Sequence, residues 1–157
     1  MSPTMKSLNL PPYETKLRRA GEQSQIYDEV RRKWVAITPE EWVRQHFVHY
    51  LKNDKQVPFG LIAVELGLEI YGLKRRADIV CYNSKGTPSL IVECKAPEIK
   101  LNTAVFAQAA MYNIRLKVPY LVVSNGIQHF CAKVNMQVGD YEFLKEIPDF
   151  SLLNESE

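Results

Sequence analysis

Two hydrophobic periods divide this chain. In "TPEEWVRQHFVHYLKND" at 38–54, Trp42, Val43, Phe47, Tyr50 and Leu51 recur at helical spacing and form one apolar stripe. Thr38 is placed to cap the helix, Pro39 suits its first position, and Glu40 and Glu41 sit where the helix dipole favours negative charge. From residue 61 the period shortens. "LIAVELGLEIYG", "RRADIVCYN" and "SLIVECKA" read as strands, separated by turn signals at Gly72 and in "SKGTP". A second helix is predicted from about Asn102 to Lys117, with Phe106, Ala110 and Ile114 on a face turned towards the sheet. The strands "YLVVSN" and "QHFCAKV" follow, around a turn at Asn125-Gly126. This order predicts an α/β fold, a central mixed β-sheet flanked by helices.

The N-terminal third is less legible. "IYDEVRRKWVAI" at 26–37 fits a helix through Ile26, Val30 and Trp34, and a strand through its β-branched content, so the pattern leaves it open. Residues 1–12 hold three prolines and no periodicity, which suits a mobile or draped arm. The organisation expected is an N-terminal arm over 1–25, a single domain over 26–147 and a C-terminal tail over 148–157.

Composition narrows the function classes. A chain of 157 residues with 46% hydrophobic and 24% charged positions can bury one sizeable core. No apolar run approaches the roughly 18 residues that cross a bilayer, and the N-terminus lacks a signal-peptide core. A cytoplasmic protein with no membrane partner is expected. Cys81, Cys94 and Cys131 are far apart and form no CxxC pair, so they read as buried thiols rather than a zinc site. His46 and His49 have the spacing of two ligands, but no further Cys or His lies nearby in sequence, which argues against zinc; isolated His129 reads as structural. Residues 1–117 carry a net charge of +6 and residues 118–157 a net −4. The positive part suits a phosphate surface, or is ordinary surface scatter.

The chemistry concentrates in "LIVECKA" at 90–96. Its apolar start promises a buried strand, yet Glu93 and Lys95 fall on one face of it, with Val92 and Cys94 on the other. A buried charge costs several kcal/mol unless it is paired or holds a metal. Asp78 in "RRADIV" is expected on the adjacent strand. Two carboxylates, Asp78 and Glu93, with the Cys94 backbone carbonyl, make an oxygen donor set suited to Mg²⁺. Lys95 would help activate the attacking water or balance charge developing on a phosphate. On the second helix Gln108 and Tyr112 are four apart and share a face beside this site. The competing reading is a surface Glu93–Lys95 pair worth about 0–1 kcal/mol, beside a partly exposed helix face.

The set Asp78, Glu93-Cys94-Lys95 and Gln108-x-x-x-Tyr112 resembles the PD-(D/E)XK nuclease superfamily, in the subgroup that joins an ExK core to a QxxxY helix. The wider text, "TPEEWVRQHFVHYL…KRRADIVCYN…LIVECKAP…FAQAAMYN…PYLVVSNG", looks most like the N-terminal nuclease domain of type I restriction enzyme R (HsdR) subunits, over roughly residues 26–132. The resemblance implies a restriction-endonuclease-like core and Mg²⁺-dependent hydrolysis of DNA phosphodiester bonds, with Mn²⁺ as a substitute. It implies Asp78 and Glu93 as metal ligands, Lys95 as the catalytic lysine, and Gln108 and Tyr112 as an assisting pair. Relatives often carry an acid on the first core helix. Glu41, with Glu40 beside it, is the match, and equally reads as a helix-dipole acid. Glu65 is a further carboxylate on the preceding strand. Lys74, Arg75 and Arg76 suit contact with a DNA backbone, or a solvated turn.

Ala77 stands where the superfamily name has proline, and no GxxxxGK[ST] phosphate loop is present, so no translocating motor is expected in these residues. DNA and other restriction or repair subunits are the expected partners. The alternative is a nuclease-fold module, weak or inactive in catalysis, that binds DNA or such a partner. A small-molecule hydrolase has no nucleophile elbow to support it.

Overall fold

The computed structural model describes residues 7–70 and 72–155. An antiparallel meander comes first: β1 (Leu17–Ala20), β2 (Gln23–Asp28) and β3 (Lys33–Ala36). The helix α1 (Pro39–Asn53) begins as its sequence dictates, with the Thr38 hydroxyl accepting from the Glu41 N–H. A six-stranded sheet follows in chain order: β4 (Ile62–Ile70), β5 (Leu73–Tyr82), β6 (Pro88–Cys94), β7 (Tyr120–Ser124), β8 (His129–Asn135) and β9 (Asp140–Leu144). The β6 and β7 strands run parallel and the other neighbours antiparallel. A parallel pair needs a crossover of a dozen or more residues. The helix α2 (Thr103–Leu116), capped by the Asn102 side chain, is that crossover. This is the α/β architecture read from the pattern, with its mixed central sheet flanked by helices.

Alternation on β7 shows the two layers. Tyr120 and Val122 pack with Val43, Phe47 and Leu51 of α1, whereas Leu121 and Val123 pack with Phe106, Ala109 and Ala110 of α2. The α2 side departs in detail from expectation. Ile114 is half-buried, and Ala109, Asn113 and Leu116 complete the buried face with Phe106 and Ala110. Asn113 donates to the Tyr120 carbonyl at 2.9 Å, so a polar side chain ties the helix end to β7.

Three segments differ from the sequence reading. The ambiguous stretch 26–37 is the end of β2, a turn and β3, where β2 is paired on one side by β1 and on the other by β3, non-local partners that the local pattern does not record. The expected arm over 1–25 contains β1 and the start of β2; residues 1–6 lie outside the described residues. Its draped portion is real, since Asn9 N–H donates to the Gly126 carbonyl at 2.7 Å and Leu8 and Leu10 pack on the core. The expected tail over 148–157 contains a third helix, α3 (Phe150–Glu155), whose Leu153 is fully buried against the α1 core.

One irregularity positions the chemistry. Glu65 in β4 has a φ of +55°, a left-handed conformation uncommon for a residue with a side chain. Ile62 and Val64 before it belong to the core under α1; Leu66 and Leu68, at the same parity, belong to the cluster on the opposite face. The neighbouring strand does the same. Leu73 and Ala77 lie in that opposite cluster, Ile79 and Cys81 under α1. Both strands therefore change face at one level, where the register passes from Leu66↔Ala77 to Val64↔Ile79. Asp78 sits at this switch.

Because the first turn of α1 carries acids of the site, its cap matters beyond local helix stability. Thr38→Ala is expected to lower unfolding free energy by about 1 kcal/mol in urea denaturation. An unchanged midpoint would show that the hydroxyl contributes nothing.

Candidate active site

The first turns of α1 bring Glu40, Glu41 and Arg44 together, at the three- and four-residue spacings that share a helix face. Arg44 is buried at 5% exposure, and its guanidinium spans three elements. Nη1 donates to Glu41 Oε1 at 2.7 Å, while Nη2 reaches Glu65 Oε1 at 2.8 Å, Asp78 Oδ1 at 2.9 Å and Glu40 Oε1 at 3.3 Å. A second layer holds this hub in place. Arg31 donates to Glu41 at 2.8 Å and to Asp28, and Gln45 bridges Asp28 and Glu41 at 3.0 and 3.1 Å. Arg76 closes the outer side on Glu65 Oε2 at 2.7 and 2.9 Å.

The electrostatics follow from this packing. Burial by itself would lower the Arg44 pKa, but the charges of Glu41 and Asp78 outweigh it and hold the guanidinium firmly protonated. Burial works against ionised Glu65 as well, yet the Arg76 hydrogen bond and the Arg44 charge bring its pKa below the usual carboxylate value. Asp28 is likewise lowered, its burial offset by the Arg31 hydrogen bonds. Glu40 goes the other way, raised by burial and by the Asp78 charge.

Asp78 is fixed from two sides. Arg44 takes Oδ1, and the Cys94 N–H donates to Oδ2 at 2.8 Å. The backbone register of β5 and β6 runs only as far as Ile79↔Val92, so the Asp78 carboxylate takes over the bonding at the strand end. The adjacent strand placement of Asp78 and Glu93 is as the sequence indicated. Their surroundings differ. Glu93 follows Ile91 on the α2 side, and with Lys95, Gln108 and Tyr112 it lines a cavity of about 380 Å³, together with Lys74 and Arg75. Asp78 is not among the lining residues. It joins this group through the Cys94 backbone, between Glu93 and Lys95.

Within the cavity Glu93 Oε1 lies 3.6 Å from Arg75 Nη2 and 3.7 Å from Lys95 Nζ. These are charge pairings too long for hydrogen bonds. The Lys74-Arg75-Arg76 run is thereby split, since Lys74 and Arg75 face the cavity while Arg76 is committed to Glu65. The expected auxiliary acids, Glu41 and Glu65, are both tied to Asp78 through Arg44.

The donor set at the strand end is oxygen alone: the Asp78 and Glu93 carboxylates and the Cys94 carbonyl. Each Asp78 oxygen carries one of these bonds and retains a lone pair, and Glu93 makes no hydrogen bond among the described residues. No group of three or more His, Cys, Asp or Glu among those residues is arranged to hold a metal. By donor chemistry alone this set suits a hard divalent cation that keeps several waters, although Asp78 is engaged by Arg44 and lies outside the cavity that Glu93 lines.

The histidines serve packing. His46 Nδ1 lies 2.9 Å from the Trp42 carbonyl, His49 stacks on Tyr13 with ring centroids 3.7 Å apart, and His129 bridges Ser124 and the Asn9 carbonyl. Cys81, Cys94 and Cys131 are buried free thiols, and burial pushes Cys81 and Cys131 up to about 12.

Arg44, Arg31 and Asp28 are the site-shaping residues that the sequence reading missed. The available signal was Glu40 and Glu41 at four and three residues before Arg44, a pattern that reads first as a surface ion pair.

A mixed α/β sheet that gathers carboxylates, a lysine and a QxxxY helix at one strand end defines a domain of the restriction-endonuclease-like class. Comparison carries this further. The profile of the family described as type I restriction enzyme R protein N terminus (HSDR_N) matches residues 39–148. The chain belongs to this family. A fragment from Vibrio vulnificus YJ016, provisionally assigned as an HsdR subunit of a type I restriction enzyme, superposes with a TM-score of 0.52 at 18% identity. That match covers 74% of this chain, which spans only 24% of the other. A chain from Anabaena variabilis ATCC 29413, provisionally assigned as a nuclease belonging to DUF820, gives a TM-score of 0.49 at 13% identity, covering 88% of each. No curated protein matches. No helix among the described residues is long and apolar enough to cross a membrane.

Two outcomes are expected of the buried network. Arg44→Met leaves buried Glu41 and partly buried Asp78 and Glu65 without their shared cation and should cost about 3 kcal/mol in urea denaturation, with Arg44→Lys recovering part of it. A loss below about 1 kcal/mol would show that the carboxylates repair themselves with Arg31, Arg76 and water. The second concerns pH. Since Asp28 and Glu65 are held below their usual values of 3.8 and 4.5, their stabilisation is complete above those values and drains away as pH falls through the lowered ones. Glu40, with its raised pKa, has the opposite sign. The Glu65→Gln variant should therefore lose stability less steeply than wild type between about pH 5 and pH 3; parallel curves would contradict this.

Proposed function

We propose that this domain is a metal-dependent deoxyribonuclease that hydrolyses phosphodiester bonds in DNA, acting in the cytoplasm with other restriction subunits. The observation that carries the reading is the convergence of Glu93, Lys95, Gln108 and Tyr112 on one cavity, with Asp78 bonded to the Cys94 N–H beside it. An uncatalysed pairing of Glu93 with Lys95 would need neither the second carboxylate nor the two helix residues. Membership of the restriction R protein N-terminal family supports the same substrate.

In this reading Asp78, Glu93 and the Cys94 carbonyl hold Mg²⁺, or Mn²⁺ in its place. The ion would supply Lewis acidity at a phosphoryl oxygen and acidify a water nucleophile. Lys95 stands 3.7 Å from Glu93, close enough to turn to the phosphate once Glu93 is engaged, where its ammonium offsets the charge that develops on the phosphoryl oxygens. Gln108 supplies an amide for orienting a phosphate oxygen or the lysine, and Tyr112 walls the cavity opposite β6. Asp78 is held by Arg44 and aimed by the Cys94 N–H, so its geometry is set before substrate arrives.

A specific observation also favours the non-cutting module. Arg44 already supplies a cation to Asp78 and Glu65, and a domain retained only for binding would be stable in that state. Linear and supercoiled DNA incubated with the protein and Mg²⁺ or Mn²⁺ separates the two. Wild type should nick or cut, with Glu93→Ala and Lys95→Ala each slower by at least about a hundredfold. Undiminished cutting in both variants would remove these residues from catalysis. DNA binding with no cutting under either metal would establish the module.

A further inference from the structure

Like its neighbour Lys74, Arg75 is a cation in the cavity that the proposed chemistry leaves unused. Its side chain is only 11% exposed, yet its guanidinium makes no hydrogen bond to any described residue, and Nη1 is buried without a partner. A guanidinium carries five donors in a planar fork, and leaving that fork unmade in a largely buried position is costly. Two contacts hold it. The ring of Tyr112 lies beneath it, with the guanidinium carbon 4.9 Å from the ring centroid, and Glu93 Oε1 stands 3.6 Å from Nη2. The ring contact is a cation–π interaction that holds the guanidinium over Tyr112 without consuming its donors. The Glu93 contact is loose and shared, because Lys95 approaches the same oxygen at 3.7 Å.

The cavity wall therefore presents Arg75, Lys74 and Lys95 against the single carboxylate Glu93. The excess charge is positive and the unmatched donors are planar. A phosphate fits both, since its non-bridging oxygens accept from an arginine fork in pairs.

We propose that Arg75 is a phosphate-binding residue for the nucleic-acid backbone, and that Tyr112 is a positioning residue that acts through it. Without ligand, Glu93 keeps the two cations close. When a phosphodiester enters, the Arg75 fork closes on its non-bridging oxygens while the Tyr112 ring holds the guanidinium in place. The inference rests on the nucleic-acid reading of this cavity, but it needs neither a metal nor cleavage.

Binding measured in chelator keeps the two apart. Anisotropy of a short labelled DNA duplex, and of the matching single strand, is followed across a salt series for wild type, Arg75→Lys, Arg75→Gln, Tyr112→Phe and Tyr112→Leu, with circular dichroism verifying each fold. Arg75→Gln should weaken binding by about tenfold and reduce the slope of log K against log salt by about one. Arg75→Lys should keep the slope, because the charge remains, and still lose affinity, because the fork is gone. Tyr112→Phe retains the ring and should bind as wild type; Tyr112→Leu should weaken binding about threefold. In the Arg75→Gln background Tyr112→Leu should add nothing.

Wild-type affinity and slope in Arg75→Gln would overturn the phosphate role. Full additivity of the two losses would overturn the coupling to Tyr112. Inorganic phosphate competing as well as the duplex would replace the backbone with a free anion as the ligand, and no DNA binding by wild type would overturn the proposal outright. Arg75-dependent binding without any cutting fails the nuclease reading alone. Cutting with Arg75→Gln binding unchanged fails this inference alone.

Discussion

Arg44 is the constraint on which the site depends. One buried guanidinium joins the first turns of α1 to Glu65 on β4 and Asp78 on β5. Without it, the face of α1 that meets the sheet would bring together one buried and two partly buried carboxylates, an arrangement that mutual repulsion and desolvation both oppose. The same bond orients Asp78. The carboxylate is thus held by a side chain from a helix and a backbone N–H from the next strand, two rigid elements rather than a loop.

The sheet accommodates this through its break at Glu65. A regular alternation could not put Ile79 and Asp78 on the same side of β5, and the left-handed backbone of Glu65 accompanies the change of face in the neighbouring strand. Strain of this kind costs of order 1–3 kcal/mol and persists where surrounding contacts determine it, here Arg44 and Arg76 on the Glu65 carboxylate. Two chemical compartments result. Towards α1 lies a closed network in which acids and arginines pair at hydrogen-bond distance, with Arg44 Nε and Gln45 Oε1 left buried and unbonded inside it. Towards α2 lies an open cavity in which Glu93, Arg75 and Lys95 pair at long range and leave donors unmatched. The closed side stabilises the helix–sheet junction and aims Asp78; the open side is the one the proposed phosphate ligand would enter. Cys94 connects the two, its N–H on Asp78 and its chain neighbours in the cavity.

The buried apolar strand explains how charges are tolerated at its end. Leu90, Ile91 and Val92 are fully buried, and each contributes on the order of 1.5–3 kcal/mol of apolar burial. That anchors β6 between β5 and β7 regardless of what its last residues hold. Glu93 and Lys95 emerge where the β5 ladder has ended, partly exposed, so their desolvation cost stays modest.

Much of this was determined by the sequence itself. The 3.6-residue stripe from Trp42 to Leu51, the Thr38 cap and the apolar runs of β4 to β8 specify their elements locally, because burial of one face leaves a periodic trace. The chemistry-bearing end of β6, the adjacent placement of Asp78 and the shared face of Gln108 and Tyr112 follow from the same periods. The β1–β3 meander was not legible, since its pairing partners are supplied by other strands rather than by local pattern. Neither was α3, a short helix held chiefly by the burial of Leu153. What only the tertiary structure decided is who meets whom across elements: Arg44 with Asp78, Arg75 with Tyr112, and the side of the sheet on which Asp78 emerges. The physical reason is that these contacts turn on one non-glycine residue in a left-handed conformation and on long side chains reaching 20 to 40 positions along the chain, and neither leaves a period in the sequence.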